Sequence, residues 1–514
     1  MASSFAAAFG LKDEGLLQTK GYIAGRWRDA LDGATISVSN PATGEEIGTV
    51  PEMGVKETQE AITAAQDSFK AWKRTTAKVN RRVSLSFERV LTAPNLSIQM
   101  ISQKFWEAPS ANSVPKTHEL NLIQTLENGK TLNDAKAEIT YSSSFIEWFA
   151  EEAVRTYGET IPAPVPGIRN VTVMQPVGVC AILTPWNFPS AMITRKLGPA
   201  LAAGCTVVVK PPPETPFSAL ALVELARRAG FPDGVINVVT TMKNVGEVGK
   251  ELCENTIVRK VTFTGSTAVA KLLYSMSAST MKKISFEAGG NSPFIVFDDA
   301  DIDAAVEGAA LCKYRASGQT CVCANRIYVH SSVYAEFASR LAAKVATFKV
   351  GSGLDKETTH GPLIHDRAIK KVEEHVADAV GKGAQVLIGG SRLEGPGSFF
   401  APTILSDVPP NVRLSNEETF GPVAALIKFE TEEEVLKLAN DTQYGLAGYF
   451  YSRDIGRVWR VAEALEVGMV GANTGMISSA VIPFGGVKES GLGREGAHGI
   501  QEYMQTKLIA FGGV

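Results

Sequence analysis

The chain has 514 residues, of which 45% are apolar and 20% charged, and its 51 basic against 54 acidic side chains leave a formal net charge of −3. That balance describes an ordinary globular protein with room for roughly two to four domains, and it excludes a dedicated nucleic-acid binder, which would carry a basic excess or stripe. The six cysteines are too sparse for a disulfide scaffold and match no zinc spacing, so reduced thiols in a reducing compartment and no metal site are expected.

Taken in chain order, the Ser/Ala-rich stretch from Met1 to Trp27 has no arginine before Arg26 and carries Asp13 and Glu14 early. A secretory signal does not fit, and the cytoplasm is expected ahead of the mitochondrial matrix. From about residue 80 to 120 the segments APNLSIQM, QKFW and APSANSVPKTHEL bring three prolines and no sustained helical period. A loop-rich insertion is expected there. The charge-free stretch Val171 to Thr194 approaches the roughly 20 residues of a membrane span, but Pro176, Pro185 and Pro189, with Gln175 and Asn187, break it into buried strands and a loop.

From about Thr172 onward, β-branched runs alternate with helical stretches: VTVM, VCAIL and TVVVK, the helix SALALVELARRAG, then VINVV, KVTFTG and the helix STAVAKLLYSM. A second series begins at PFIVF and continues through DIDAAVEGAALCKY, RIYV, VYAEFASRLAAKVATF, DRAIKKVEEHVADAV and AQVLIG. Two parallel α/β units joined near Asn291 are predicted. With no period of about 20 to 50 residues, a solenoid or propeller is excluded.

Three short motifs carry candidate chemistry, and each has a plain structural alternative. In SGQTCVC, Cys321 and Cys323 follow a Gly318 turn; a cysteine is a nucleophile or a small core residue. In FEAGGNSPF, Glu287 ends a strand before Gly289 and Gly290, as a base or a merely hydrogen-bonded carboxylate. In TPWNFP, Asn187 follows Trp186 on a Pro-bounded turn, where asparagine is often structural.

Together with FTGST, EETFGPV and PFGGVKESGLGREG, these motifs stand in the order found in the aldehyde dehydrogenase superfamily, from residue 184 to 496, with 321 − 287 = 34 residues between glutamate and cysteine. The chain is identified as resembling that family, nearest to its succinate-semialdehyde dehydrogenases. The resemblance implies an α/β fold with two parallel-sheet Rossmann-like domains and a small β oligomerisation element. By it, residues 1–156 and 180–288 form the NAD(P)-binding domain, 289–494 the catalytic domain, and 157–179 with 495–514 the bridging element of a homodimer or homotetramer. The 80–120 insertion is then about twenty residues foreign to the plan.

The resemblance further implies Cys321 as nucleophile, Glu287 as general base and the Asn187 amide with the Cys321 N–H as oxyanion donors. For the cofactor it implies Gly265 and Ser266 at a helix N-terminus under the pyrophosphate, Lys210 and Glu418 on the two riboses, and Phe420 and Trp186 beside the nicotinamide. Arg195, Arg315 and Ser479 would receive a distal carboxylate, for which paired guanidinium groups are suited. The alternative for each arginine is an ordinary ion pair. NAD-restricted relatives carry an acidic residue where this chain has Pro213, so NADP is expected to be accepted and even favoured, unless Glu214 takes that place. Cys323 is a candidate redox partner of Cys321. Two functional alternatives stand beside succinate semialdehyde: another ω-carboxyl aldehyde such as glutarate semialdehyde, one methylene longer, or a homologue impaired by the insertion.

Overall fold

Strands such as Val179–Leu183 and Thr206–Lys210 have no polar face to present to water, and both are buried at every residue; such strands belong inside a sheet covered on both faces. In the computed structural model, which describes residues 10, 11, 13–92 and 118–513, they lie at the centre of an eight-stranded sheet. Its order is Gly491–Leu492, Lys283–Glu287, Val258–Thr264, Val179–Leu183, Thr206–Lys210, Ile236–Val238, Gly21–Ile23, Arg26–Arg28. The five interior strands from Lys283–Glu287 to Ile236–Val238 are parallel, and the flanking strands on both sides are antiparallel. Helices Ala191–Ala203 and Pro216–Arg228, the first buried at all 13 residues, pack on it.

The second series forms a seven-stranded sheet in the order Gln385–Ile388, Thr403–Ser406, Val423–Phe429, Ala324–His330, Ser292–Val296, Ala447–Tyr451, Met469–Ala472. Only the Gln385–Ile388 strand runs antiparallel. A third sheet joins Thr160–Ile161, Ile168–Pro176 and Met504–Gly512, the last two paired over nine residues from Met504 opposite Pro176 to Gly512 opposite Ile168. The charge-free stretch thus resolves into strands Ile168–Pro176 and Val179–Leu183, a turn, and the start of a helix. Among the described residues, no helix is long and apolar enough to cross a membrane.

The expected loop-rich insertion is corrected over its first part. Residues Ala77–Thr92 form a 16-residue helix that buries Asn80, Ser84, Phe87, Val90 and Leu91. The spacing is helical, but its first two members are polar, so the apolar period was hidden. Asn80 is accommodated because its Oδ1 accepts from Thr75 Oγ1 at 2.6 Å. A further helix starts at His118 and runs to Asn128; residues 93–117 of the expected insertion lie outside the described residues.

Phe87 is fully buried and meets Phe231 edge-on at 6.0 Å. Phe87→Ala should lower the unfolding free energy by about 3–5 kcal/mol, read as a lower denaturant midpoint; an unchanged midpoint would mean that this helix is not part of the core.

Candidate active site

The thiol of Cys321 is presented by a strained turn. After helix Ile302–Tyr314, Ala316, Ser317 and Gly318 take φ values of 49°, 55° and 74°, three left-handed residues in succession of a kind that persists only where surroundings enforce it. Ser317 Oγ donates to Gly361 O at 2.7 Å, and Gln319 accepts from Ile364 N at 3.0 Å. At Gly290 a side chain is excluded, since a Cβ there would lie 2.4 Å from the Cys321 carbonyl oxygen. Gly290 therefore lets the strand that carries Glu287 approach the turn that carries Cys321.

Asn187 reaches the same turn: its Nδ2 donates to Gln319 O at 3.0 Å. One amide hydrogen is thereby used, and the second makes no bond within the described residues. The Asn187 backbone is itself held from below. Lys130 Nζ donates to Asn187 O at 2.9 Å and pairs with Glu138, while Glu138 Oε1 accepts from Ser190 N and Ala191 N at 2.8 and 3.1 Å. Lys130 and Glu138 have 1% and 0% side-chain exposure, so each charge depends on the other.

Glu287, the last residue of its strand, is buried, and both its oxygens lack a hydrogen-bond partner of good geometry. Burial raises its pKa, opposed chiefly by Arg195. Burial, and next the Glu287 carboxylate, push the Cys321 thiol well above its ordinary value. Arg195 and Lys196 approach from helix Ala191–Ala203 and share Glu495: Arg195 Nε lies 2.6 Å from its Oε2, and Lys196 Nζ contacts Oε1 and donates to Thr264 Oγ1 at 2.5 Å. Burial would raise the Glu495 pKa, but these cations bring it below the ordinary carboxylate range. Lys196, Glu495, Lys130 and Glu138 were not singled out from the sequence; Glu495 lies within the motif PFGGVKESGLGREG and Lys196 follows Arg195, while nothing local marks the other pair.

Arg195 is thus an ion-paired residue, as one reading of the sequence allowed, yet its Nη2 is buried without a partner. Its guanidinium stacks 4.1 Å over the Phe484 ring. Arg315 makes no hydrogen bond or ion pair among the described residues; its guanidinium lies 5.5 Å over Phe188 and it lines a small cavity with Thr320, Ile477 and Ser478. Ser478 lines this cavity, whereas the Ser479 hydroxyl accepts from Val481 N within its own turn. Cys323 is buried, with Sγ 3.5 Å from Lys313 Nζ and 3.4 Å from Gly318 O, and both Cys321 and Cys323 are free thiols.

The residues expected to hold a dinucleotide fit one. Lys210 ends strand Thr206–Lys210 with its ammonium in no hydrogen bond or ion pair among the described residues, and burial pulls its pKa down to about 8 against the raising influence of Glu214 and Glu52. Ser266 precedes helix Thr267–Ala278 without capping it, leaving first-turn N–H groups for an anion. A Cβ at Gly265 would strike the Phe263 ring at 2.4 Å. Glu418 Oε1 accepts from Gly290 N at 3.0 Å, and burial raises its pKa to about 7. Trp186 meets Phe420 edge-on at 5.5 Å.

Lys130→Met should cost about 3–5 kcal/mol of stability by stranding Glu138, and the double replacement Lys130→Met with Glu138→Leu should recover part of that loss. Denaturant unfolding of the set checks this; a silent single variant would remove the pair from the support of Asn187.

The profile of the aldehyde dehydrogenase family matches residues 27–112 and 113–509. Glutarate-semialdehyde dehydrogenase of Pseudomonas putida is 55% identical over 500 residues, covering 97% of this chain and 99% of its own length. The NADP(+) succinate-semialdehyde dehydrogenase of Escherichia coli is 52% identical over 503 residues, covering 98% and 99%. The solved structure of succinate-semialdehyde dehydrogenase from Burkholderia pseudomallei, at 54% identity and covering 98% of this chain and 99% of its own, superposes with a TM-score of 0.91. With the family profile spanning nearly the whole chain and relatives above half identity at full length, this protein belongs to the aldehyde dehydrogenase family.

Proposed function

We propose that the protein oxidises an ω-carboxyl aldehyde, succinate semialdehyde first, to the dicarboxylic acid. The observation that carries this is the pair of guanidinium groups near the half-buried Cys321 thiol and the buried Glu287 carboxylate: Arg315 has no anionic partner among the described residues, and Arg195 keeps a buried Nη2 unpaired. A carboxylate brought by the substrate would satisfy both by planar, two-pronged bonds. The hydroxyl that completes this set is that of Ser478, by its position in the cavity with Arg315, rather than the Ser479 expected from the sequence.

In the reaction, the Cys321 thiol gives its proton to Glu287, whose raised pKa makes it a stronger base than a free glutamate. The thiolate adds to the aldehyde carbon, and the resulting oxyanion is received by the second Asn187 amide hydrogen and the Cys321 backbone N–H. A nicotinamide dinucleotide, when bound, supplies the two-electron acceptor that takes the adduct to a thioester. Glu287 passes the thiol's proton to solvent and then accepts a proton from water as the water oxygen adds to the thioester carbon; the C–S bond breaks, releasing the acid, and Glu287 returns its proton to the Cys321 thiolate. Lys210 and Glu418 hold the two riboses, and Gly265 and Ser266 the pyrophosphate, with Phe420 and Trp186 framing the nicotinamide. In this reading the segments 1–156 and 180–288 bind the dinucleotide, while 289–494 carries the nucleophile.

A second substrate reading is favoured by the similarity to glutarate-semialdehyde dehydrogenase, since one methylene alters binding by only about 1–3 kcal/mol. Steady-state oxidation of succinate semialdehyde, glutarate semialdehyde and acetaldehyde decides: both acids should exceed acetaldehyde in kcat/KM by about a hundredfold, and parity with acetaldehyde would defeat the two-arginine argument. We assign NADP as an accepted and favoured cofactor because Pro213 leaves no carboxylate at that position; a Glu214 carboxylate turned to the ribose would instead favour NAD, and Glu214 is the foremost charge acting on Lys210. The Thr160–Ile161, Ile168–Pro176 and Met504–Gly512 sheet exposes Ile161, Leu508 and Phe511, which fits burial against further copies in a homodimer or homotetramer. Six free thiols suit the cytoplasm.

The Lys210 pKa of about 8 sets a direction for cofactor binding. Below it the ammonium is charged and attracts the ribose phosphate; above it the charge and the affinity fall. NADP binding should weaken from pH 8 upward in the parent protein and show no such step in Lys210→Met, measured by fluorescence titration; identical profiles would detach Lys210 from the cofactor.

A further inference from the structure

Buried polar atoms without a hydrogen-bond partner are uncommon in folded proteins, and each asks for a reason. Around Cys321 they are concentrated: both Glu287 oxygens, Arg195 Nη2, Thr320 Oγ1 and the Tyr141 hydroxyl. Glu287 and Arg195 have their reason in the chemistry above, and Thr320 adjoins the nucleophile. Tyr141 belongs to no motif. It lies on helix Leu132–Glu152, its ring 4.8 Å from that of Phe145, and Phe145 in turn sits 5.4 Å under the Arg195 guanidinium. The next residue, Ser142, places its hydroxyl 2.9 Å from that of Thr194, the neighbour of Arg195. Helix Leu132–Glu152 is thus docked so that Tyr141 faces the substrate end of the site, and the charges that act on its hydroxyl are, in order, Arg195, Arg315, Glu495 and the Cys321 thiol.

A phenylalanine would fill the same volume with no polar atom to desolvate, so the hydroxyl is costly until something arrives to accept its hydrogen. Where the charges of two guanidinium groups act on the hydroxyl, that acceptor is an anion. Two fixed cations attract a carboxylate from any direction, whereas a neutral O–H adds a directional bond without further charge and so selects where the anion sits. We propose that Tyr141 is a specificity-determining residue, its hydroxyl donating to the distal carboxylate of the substrate alongside Arg195 and Arg315. This rests on the ω-carboxyl aldehyde reading above.

The test compares the full-length protein with Tyr141→Phe on succinate semialdehyde and on butyraldehyde, an uncharged chain of the same length, with succinate as a competing ligand. The kcat/KM ratio of the acid over the neutral aldehyde should fall by about tenfold or more in the variant, mainly through KM, and succinate should bind correspondingly more weakly. Because the hydroxyl is unpaired in the free protein, the variant should melt no lower than the parent, which separates lost recognition from lost fold. An unchanged ratio, or an equal loss on both aldehydes, overturns the role of Tyr141. A parent protein that does not distinguish the two aldehydes instead overturns the substrate class, and this proposal with it.

Discussion

Two dehydrated cations on consecutive positions of one buried helix, Arg195 and Lys196, are the constraint around which the catalytic half of the molecule is arranged. Each has at most 1% side-chain exposure, and an unpaired charge at such depth costs several kcal/mol even after relaxation. Glu495 answers both. Its segment is brought in by the strand Gly491–Leu492, which pairs with Phe286 and Glu287, and by the reciprocal backbone bonds between Glu495 and Phe484. The same pairing that compensates the cations thereby fixes the end of the strand carrying Glu287. Charge balance and placement of Glu287 are one structural event, and the chain closes between Lys196 and Glu495, 299 positions apart, to achieve it.

Electrostatics around the thiol follow from that arrangement. Burial favours the neutral forms of both Cys321 and Glu287. Arg195 acts on both groups in the opposite sense, favouring thiolate and carboxylate. A site poised between these tendencies suits the roles proposed for the Cys321 thiol and the Glu287 carboxylate. The nucleophile turn is meanwhile held from outside, by Asn187 on Gln319 and by the Lys130 and Glu138 pair beneath Asn187. Its left-handed residues would not persist without those restraints.

Much of the scaffold was legible in the sequence. Fully buried strands read as continuous apolar runs: Val179–Leu183, Thr206–Lys210, Ile236–Val238 and Val258–Thr264 in the first sheet, with Ser292–Val296 and Ala324–His330 in the second, coincide with runs named from their β-branched residues, whereas Thr403–Ser406, Val423–Phe429 and Ala447–Tyr451 were not named. The helix Ala77–Thr92 was not legible, because Asn80 and Ser84 occupy its inward face and a pattern argument counts polar residues as outward. Edge strands such as Gly491–Leu492 and Arg26–Arg28 were missed for a related reason: two or three residues carry no period, and their pairing is decided by what they meet in space. The residues proposed to touch a ligand sit in short, chemically distinctive motifs. Those that hold the motifs in position, Lys130, Glu138 and Glu495 among them, are ordinary charged residues until burial gives them a task.

Taken alone, the sequence determined the element types, the order of the motifs and hence the family, because periodicity and glycine or proline punctuation are local properties of the chain. It also singled out Cys321, Glu287 and Asn187 as candidates, with roles that the family resemblance implies. Only the tertiary structure decided that Arg195 is shared between Glu495 and an open Nη2, that Ser478 rather than Ser479 lines the cavity with Arg315, and that Cys323 turns toward Lys313. The physical reason is that a side chain's partner and its dehydration depend on residues hundreds of positions away, and a one-residue shift along a turn redirects a hydroxyl without altering any pattern that a linear reading can register.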